Sequence, residues 1–331
     1  MKSLPNNTNN KRRIRLLYLI AVLLCLAATV LGLLLGSTHL SLFPLTESSQ
    51  TILRLIRVPR VTATLVCGAA LSVSGAVIQN VLANRLASPS IIGVNAGAGL
   101  AVTVTAACGL YGGWRVSLFA FLGAFSAAIL ISLFAKRFGA SKGTVILLGV
   151  AMNSLLGAFS DTVITFQPTV AMLGSDFKIG DFSAVTTQKL LPAAILIGAA
   201  ILLLLTLSND LDLLTLGEDS AKGLGMNTGL SRTLFLLLAA ALAGASVSVA
   251  GLLSFVGLLV PHTVRRLGIR EARHLIPLCA LFGAGFVTLC DTLARSLFAP
   301  YEIPVGILLA FLGAPFFVYI LICKKGGHAH D

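Results

Sequence analysis

The sequence predicts an all-α polytopic membrane protein of about ten transmembrane helices. Three observations carry that prediction. Only 11% of the 331 residues are charged and 56% are hydrophobic, with mean hydropathy +0.96; a soluble domain carries about 25% charge. Apolar runs of membrane-crossing length recur along the whole chain, and at about 20 residues per span there is room for roughly eight to eleven. Glycine is abundant (32) and aromatic residues are scarce (7%), which suits helices whose backbones approach closely.

Bounded by charges, prolines and glycine clusters, ten spans are read in order. The first, Leu16–Leu35, follows a basic tail, residues 1–15. It is too long for a signal h-region, so it is read as a retained span. The second, Val61–Val81, begins at Arg57-Val58-Pro59-Arg60 and is rich in small residues around Gly68, Ser72, Ser74 and Gly75. It ends in a polar elbow, Gln79-Asn80 to Ser88-Pro89, before the third span, Ile91–Gly109. Polar groups at membrane depth are costly unless they face protein or a watery path. The second helix is therefore read as an interior helix and as a candidate wall of a pathway. The fourth span, Val116–Ala135, stops at Lys136-Arg137, and the fifth, Thr144–Phe166, carries Asn153, Asp161 and Thr165. The sixth is Leu190–Leu207.

Residues 208–231 form the longest loop on the side of the N-terminus, and their spaced leucines predict one or two short helices outside the bilayer. A solvated linker needs no such pattern, so a docking surface for another protein is expected. The seventh and eighth spans, Thr233–Val249 and Leu252–Leu267, are separated by no charge, and Ala250-Gly251 and Pro261 predict an irregular or half-length helix. The ninth and tenth are Leu275–Ala294 and Val305–Cys323, followed by a tail, 324–331. The membrane domain is thus residues 16–323. GAALSVSGAVIQNVL at Gly68 weakly echoes GASVSVAGLLSFVGLL at Gly244, the kind of inverted repeat many transporters carry.

A net charge of +12 would imply nucleic-acid affinity in a soluble protein. Here the basic residues stand at the ends of apolar runs and report topology instead. With the N-terminus cytoplasmic, 17 of the 24 Lys and Arg lie inside and 7 outside, so both termini are expected in the cytoplasm. Arg54, Arg57, Arg60 and Arg295 are exceptions on the outer face. They serve either as interfacial anchors or as a positive rim that docks an acidic partner. Asp291, four residues before Arg295, is placed to pair with it.

Several chemistries find no support. No GxxxxGK[ST] loop, HExxH or GxSxG is present, so neither an ATP site of that kind nor a catalytic set is expected. The six cysteines lack CxxC spacing, so neither a disulfide framework nor a zinc site is expected, and no metal site is assigned. His328 and His330 belong to a tail read as disordered. Asp161 is the best argument for ion coupling, and one off-centre carboxylate is thin support.

Taken together, six segments resemble the FecCD-type permeases of binding-protein-dependent ABC importers for iron-siderophores, haem and cobalamin. They are RVPRVTATLVCGAALSVSGAVIQNVLANRLASPSIIGVNAGAG, ILLGVAMN, LDLLTLGEDSAKGLG, VAGLLSFVGLLVPHTVRRL, LIPLCALFGAGFVTLCDTLAR and EIPVGILLAFLGAPFFVYIL, in family order from about Arg57 to Leu321. The resemblance implies a BtuC-like ten-helix fold in the bacterial inner membrane, paired with a second copy around the translocation path. It implies two cytoplasmic ATPase subunits, which use ATP and Mg while this chain binds no cofactor, and an extracytoplasmic binding protein. Arg57, Arg60 and Arg295 are then expected to meet acids of that binding protein. Leu214, Leu216, Gly217, Glu218, Ala221 and Gly225 are expected to couple to the ATPases. Candidate path residues are Ser72, Ser74, Gln79, Asn80, Asn153 and Thr165, with a buried amide bonded to a neighbouring helix an equal reading for Asn153. The implied cargo is an iron(III)-siderophore, with haem or cobalamin as the alternative. One departure is Ala171–Asp176, where family members often carry a WxxGS motif; the single tryptophan here is Trp114.

Overall fold

A computed structural model describes residues 7–37, 47–138 and 142–325. Among these residues every regular element is helical. The long helices are α1 (Asn7–Leu34), α3 (Val58–Val81), α5 (Gly113–Arg137), α6 (Lys142–Phe166), α8 (Thr187–Thr206), α11 (Thr228–Ala250), α13 (Ala272–Ser296) and α14 (Val305–Lys325). Shorter ones are α2 (Glu47–Ile52), α4 (Val94–Ala107), α7 (Ala171–Ile179), α9 (Ser208–Thr215), α10 (Glu218–Gly223) and α12 (Val256–Arg266). Seven described helices are long and apolar enough to cross a membrane.

Each of the ten expected spans contains a helix, but the third and eighth are short. Pro89–Ile92 forms a 3₁₀ turn ahead of α4. The eighth span is the half-length helix that the charge-free stretch predicts. Gly251 (φ 72°) ends α11 in a conformation open mainly to glycine, and Phe255 (φ 66°) starts α12 from the left-handed region. The expected tail boundaries shift outward, because α1 begins at Asn7 and α14 runs to Lys325. Loop 208–231 contains two short helices, α9 and α10, as its leucines predict. Helices α2 and α7 are additions that hydropathy does not show.

Helix α3 is the centre of the bundle, buried along most of its length. It runs antiparallel to α13, and every fourth residue on one face meets every fourth residue back along its partner. Arg60 meets Asp291, Thr64 Oγ1 lies 2.9 Å from Thr288 Oγ1, Gly68 abuts Gly283, and Ser72 Oγ donates to the Cys279 carbonyl at 2.6 Å. A Cβ at Gly68 would fall on the Gly283 carbonyl, so the close approach requires a bare backbone. On another face α3 runs antiparallel to α11, where Ser74 Oγ donates to Ala239 O at 2.6 Å and Cys67 Sγ to Ser246 O at 3.8 Å. The two echoing sequences therefore lie side by side in opposite directions.

Helix α1 follows α13 in parallel, through Tyr18 and His274 (3.4 Å) and through Cys25 Sγ to Leu281 O (2.9 Å). One end of the bundle accordingly gathers Arg13 beside Gly268, helix α9 and the start of α13. The opposite end gathers Arg57, Arg60 and Arg295. Large apolar side chains face outward on the peripheral helices, among them Leu23, Leu122, Phe159 and Leu202, as a lipid environment requires.

Candidate functional site

The arginine end of the bundle is an internal clasp. Arg57, Arg60 and Arg295 are 2%, 4% and 3% exposed. The expectation that these three form an exposed rim is corrected, and the helix end above them gives the reason. The last carbonyls of a helix lack intrahelical partners, and cations are favoured there. Arg57 Nη1 donates to Leu33 O (2.8 Å) and Leu34 O (2.6 Å), and Arg295 Nη2 donates to Gly32 O, so two guanidinium groups close the end of α1. Arg60 turns the other way. Its Nε and Nη2 donate to the Asp291 carboxylate at 2.9–3.1 Å, its Nη1 to Glu302 at 2.7 Å, and Asp181 lies 3.8 Å away. Arg295 Nε is 3.6 Å from Asp291, the i,i+4 pair that the sequence predicts. Buried charges persist where they are paired and hydrogen-bonded, and this network meets that condition. Among these outer cations, Arg54 is the one whose side chain is exposed.

Glu302 is the movable member of the clasp. It sits in the loop between α13 and α14 and is partly exposed, with Ser37 Oγ donating to it at 2.7 Å. Burial raises its pKa, but the hydrogen bonds from Ser37 and Arg60, with the charges of Arg60 and Arg295, outweigh that and hold the carboxyl below its ordinary value. Glu302 and Asp181 escape sequence reasoning because single acids in loops carry no periodic signal.

The six path candidates divide. Ser72 and Ser74 are fully buried, and their hydroxyls are spent bonding α3 to α13 and α11. They pack helices here, which corrects their reading as lining groups. Gln79 and Asn80 meet a cation that the sequence reading passed over, Arg265 on α12. Arg265 donates to Gln79 Oε1, to Asn80 Oδ1 at 2.7 Å and to Ala76 O at 3.2 Å, while Gln79 Nε2 donates to Gly257 O at 3.0 Å. The amide end of α3 is thereby tied to the half-helix. Asn153 Nδ2 donates to Ser90 O at 2.8 Å, the inter-helix amide bond weighed as its alternative role. Thr165 is exposed and bonds within its own helix to Asp161 O, and Asp161 is also exposed. Asn153 and Thr165 share α6, whereas the other four lie on α3.

At the opposite end, α9 and α10 present the coupling residues. Leu214 and Ala221 are buried and anchor the two helices, whereas Leu216 is 63% exposed at the apex between them. Gly217 (φ 107°) and Gly225 (φ 85°) adopt backbone conformations that suit glycine. Glu218 pairs with Arg232 at the start of α11. Asp212, not singled out in the sequence, accepts from the Ala272 N–H at 2.9 and 3.0 Å and so fastens α9 to the first turn of α13. Burial pushes the Asp212 pKa up, and that backbone bond pulls in the opposite direction. Helix α13 therefore touches the coupling helices at one end and the arginine clasp at the other. Over 25 residues that distance is about 37 Å.

An α-helical bundle closed by ten apolar segments, with an interior of small residues and no clustered catalytic set, defines a membrane permease. The model of the FecCD transport family matches residues 13–323, and the chain belongs to that family. It is a transport permease and not an ATPase. It is 34% identical over 322 residues to the Fe(3+)-citrate import system permease protein YfmD of Bacillus subtilis, covering 94% of this chain and 95% of that protein. It is 35% identical over 285 residues to the vitamin B12 import system permease protein BtuC of Yersinia pseudotuberculosis, covering 85% and 84%. The solved inward-facing conformation of a metal-chelate type ABC transporter superposes with TM-score 0.84 at 30% identity, over 94% of this chain and 99% of that one. The family and the all-α fold that the resemblance implied are thus confirmed.

Proposed function

We propose that this chain is the permease subunit of an ABC importer for a metal chelate in a bacterial inner membrane, with an iron(III)-siderophore or iron-citrate complex as cargo and cobalamin or haem as the alternative. The observation that supports this reading best is the linkage through α13, from Asp212 and Ala272 at the coupling helices to Asp291 and Arg295 at the clasp. Two copies enclose the path, two ATPases engage α9 and α10, and a binding protein docks at the far end. Both termini and the coupling helices are cytoplasmic, in keeping with the inside bias of Lys and Arg.

In this reading ATP-driven closure of the ATPases pushes on Leu216 and the Gly217–Gly225 unit. A stiff helix packed through small residues moves as a body, so the displacement reaches the clasp end of α13. The docking role of Arg57, Arg60 and Arg295 becomes an exchange, in which a carboxylate of the binding protein takes the place of Glu302 on Arg60. Asp291 is committed to two arginines, which disfavours an ion-coupled carrier that would use it as a proton relay. The test is ATPase activity of the reconstituted complex. Hydrolysis is expected to rise with liganded binding protein in wild type and to be unresponsive in a Glu218→Gln/Gly217→Ala variant. Equal stimulation in both would remove the coupling assignment.

A further inference from the structure

A cleft of about 1010 Å³ opens beside the coupling helices, between the end of α5, the start of α6, α10 and the start of α11. Its charged lining is Lys136, Lys222, Arg232 and Glu218. Glu218 already pairs with Arg232, so positive charge is in excess. The first turn of α11 contributes Thr228 and Gly229, and helix N-termini favour anions. Gly229 leaves the approach to that turn open, with only the Asn227 side chain near a Cβ built there.

The surroundings of the cleft are apolar and outward-facing. Leu133 and Phe134 on α5, and Leu230 and Leu234 on α11, are exposed within a turn of its charged residues. A cationic cleft bordered by exposed apolar helix faces fits a molecule with an anionic head and hydrocarbon tails. A soluble anion would make no use of those flanks. Nothing in the clasp or coupling contacts accounts for Lys136 or Lys222.

We propose that this cleft binds the phosphate headgroup of an anionic phospholipid such as phosphatidylglycerol, with its chains along α5 and α11. Basic pockets between helices on the cytoplasmic side select such headgroups. The lipid would then brace the Glu218–Arg232 pair against the end of α5, so that coupling depends on lipid composition. The proposal rests on the orientation proposed above only for the leaflet it assigns.

The experiment uses the purified full chain, delipidated in neutral detergent, with its thermal unfolding midpoint followed during lipid titration. Dioleoyl-phosphatidylglycerol is expected to raise the midpoint and dioleoyl-phosphatidylcholine to leave it unchanged. The Lys136→Gln/Lys222→Gln variant is expected to require about 30-fold more phosphatidylglycerol, the change that two cations at about 1 kcal/mol each produce. Equal responses of variant and wild type, or of the two lipids, would overturn the proposal. So would a midpoint rise with millimolar inorganic phosphate equal to that with lipid, which would assign the cleft to a soluble anion. Loss of ATPase co-purification in the variant with an unchanged lipid response would assign it to the partner protein instead. No transport is measured, so the result stands apart from the fate of the importer reading.

Discussion

Replacing Asp291 by Asn keeps the shape of the clasp and removes its central charge. Asp291 is 1% exposed, accepts three hydrogen bonds from Arg60 at 2.9–3.1 Å and lies 3.6 Å from Arg295. Without the carboxylate two buried guanidinium groups face one neutral amide, and Glu302 alone remains bonded to Arg60. Breaking a buried pair from one side costs about 3–5 kcal/mol, or roughly 10² to 10⁴ in the folding equilibrium. The assay is reversible unfolding in mixed micelles, followed by circular dichroism. Asp291→Asn is expected to lose that amount, whereas Arg60→Met/Asp291→Leu, which removes both partners and leaves Arg295 opposite Glu302, is expected to return to within about 1 kcal/mol of wild type. A loss below about 1 kcal/mol in the single variant, or simple additivity in the double, would refute the clasp as a coupled unit.

Three further outcomes are expected. Gly75→Leu drives a side chain into the Gly257 backbone; because backbone cannot yield as a rotamer does, the loss should exceed the usual 1–3 kcal/mol of overpacking, read as failure to assemble in membranes. Gly217→Ala has open space for its Cβ but a φ of 107°, so a cost of about 1–3 kcal/mol should appear locally, as faster hydrogen exchange in α10. Glu302, with its lowered folded pKa, contributes stability that is full above the unfolded pKa and is lost as pH falls through the folded value; Glu302→Gln should flatten that acid arm of the thermal-midpoint profile and, by freeing Arg60, speed binding-protein association about fivefold, the effect of about 1 kcal/mol.

The spans were legible because hydropathy and small-residue content are properties of contiguous sequence. The half-length α12 was legible for the same reason, since Ala250-Gly251 and Pro261 interrupt an otherwise unbroken run. The inward turn of the arginines was not. It depends on the unsatisfied carbonyls of Gly32, Leu33 and Leu34, which come from a helix more than 20 residues before Arg57 and more than 250 before Arg295. Ser72 and Ser74 show the same limit. A serine in a small-residue helix looks alike whether it faces water or donates to a neighbouring backbone, and only the antiparallel register with α13 and α11 decides it. Asp212 and Arg265 each hold two elements together, yet their sequence neighbours announce only a loop and a basic helix end.

The central claim is that this chain gates a path and a separate ATPase supplies the work. Uptake of a radiolabelled iron(III)-siderophore or iron-citrate into proteoliposomes measures it directly, with binding protein outside, ATP enclosed, and the ATPase subunits either present or omitted under an imposed proton or sodium gradient. Uptake is expected only where ATPase and ATP are both present. Accumulation driven by the ion gradient with the ATPase omitted would contradict the account.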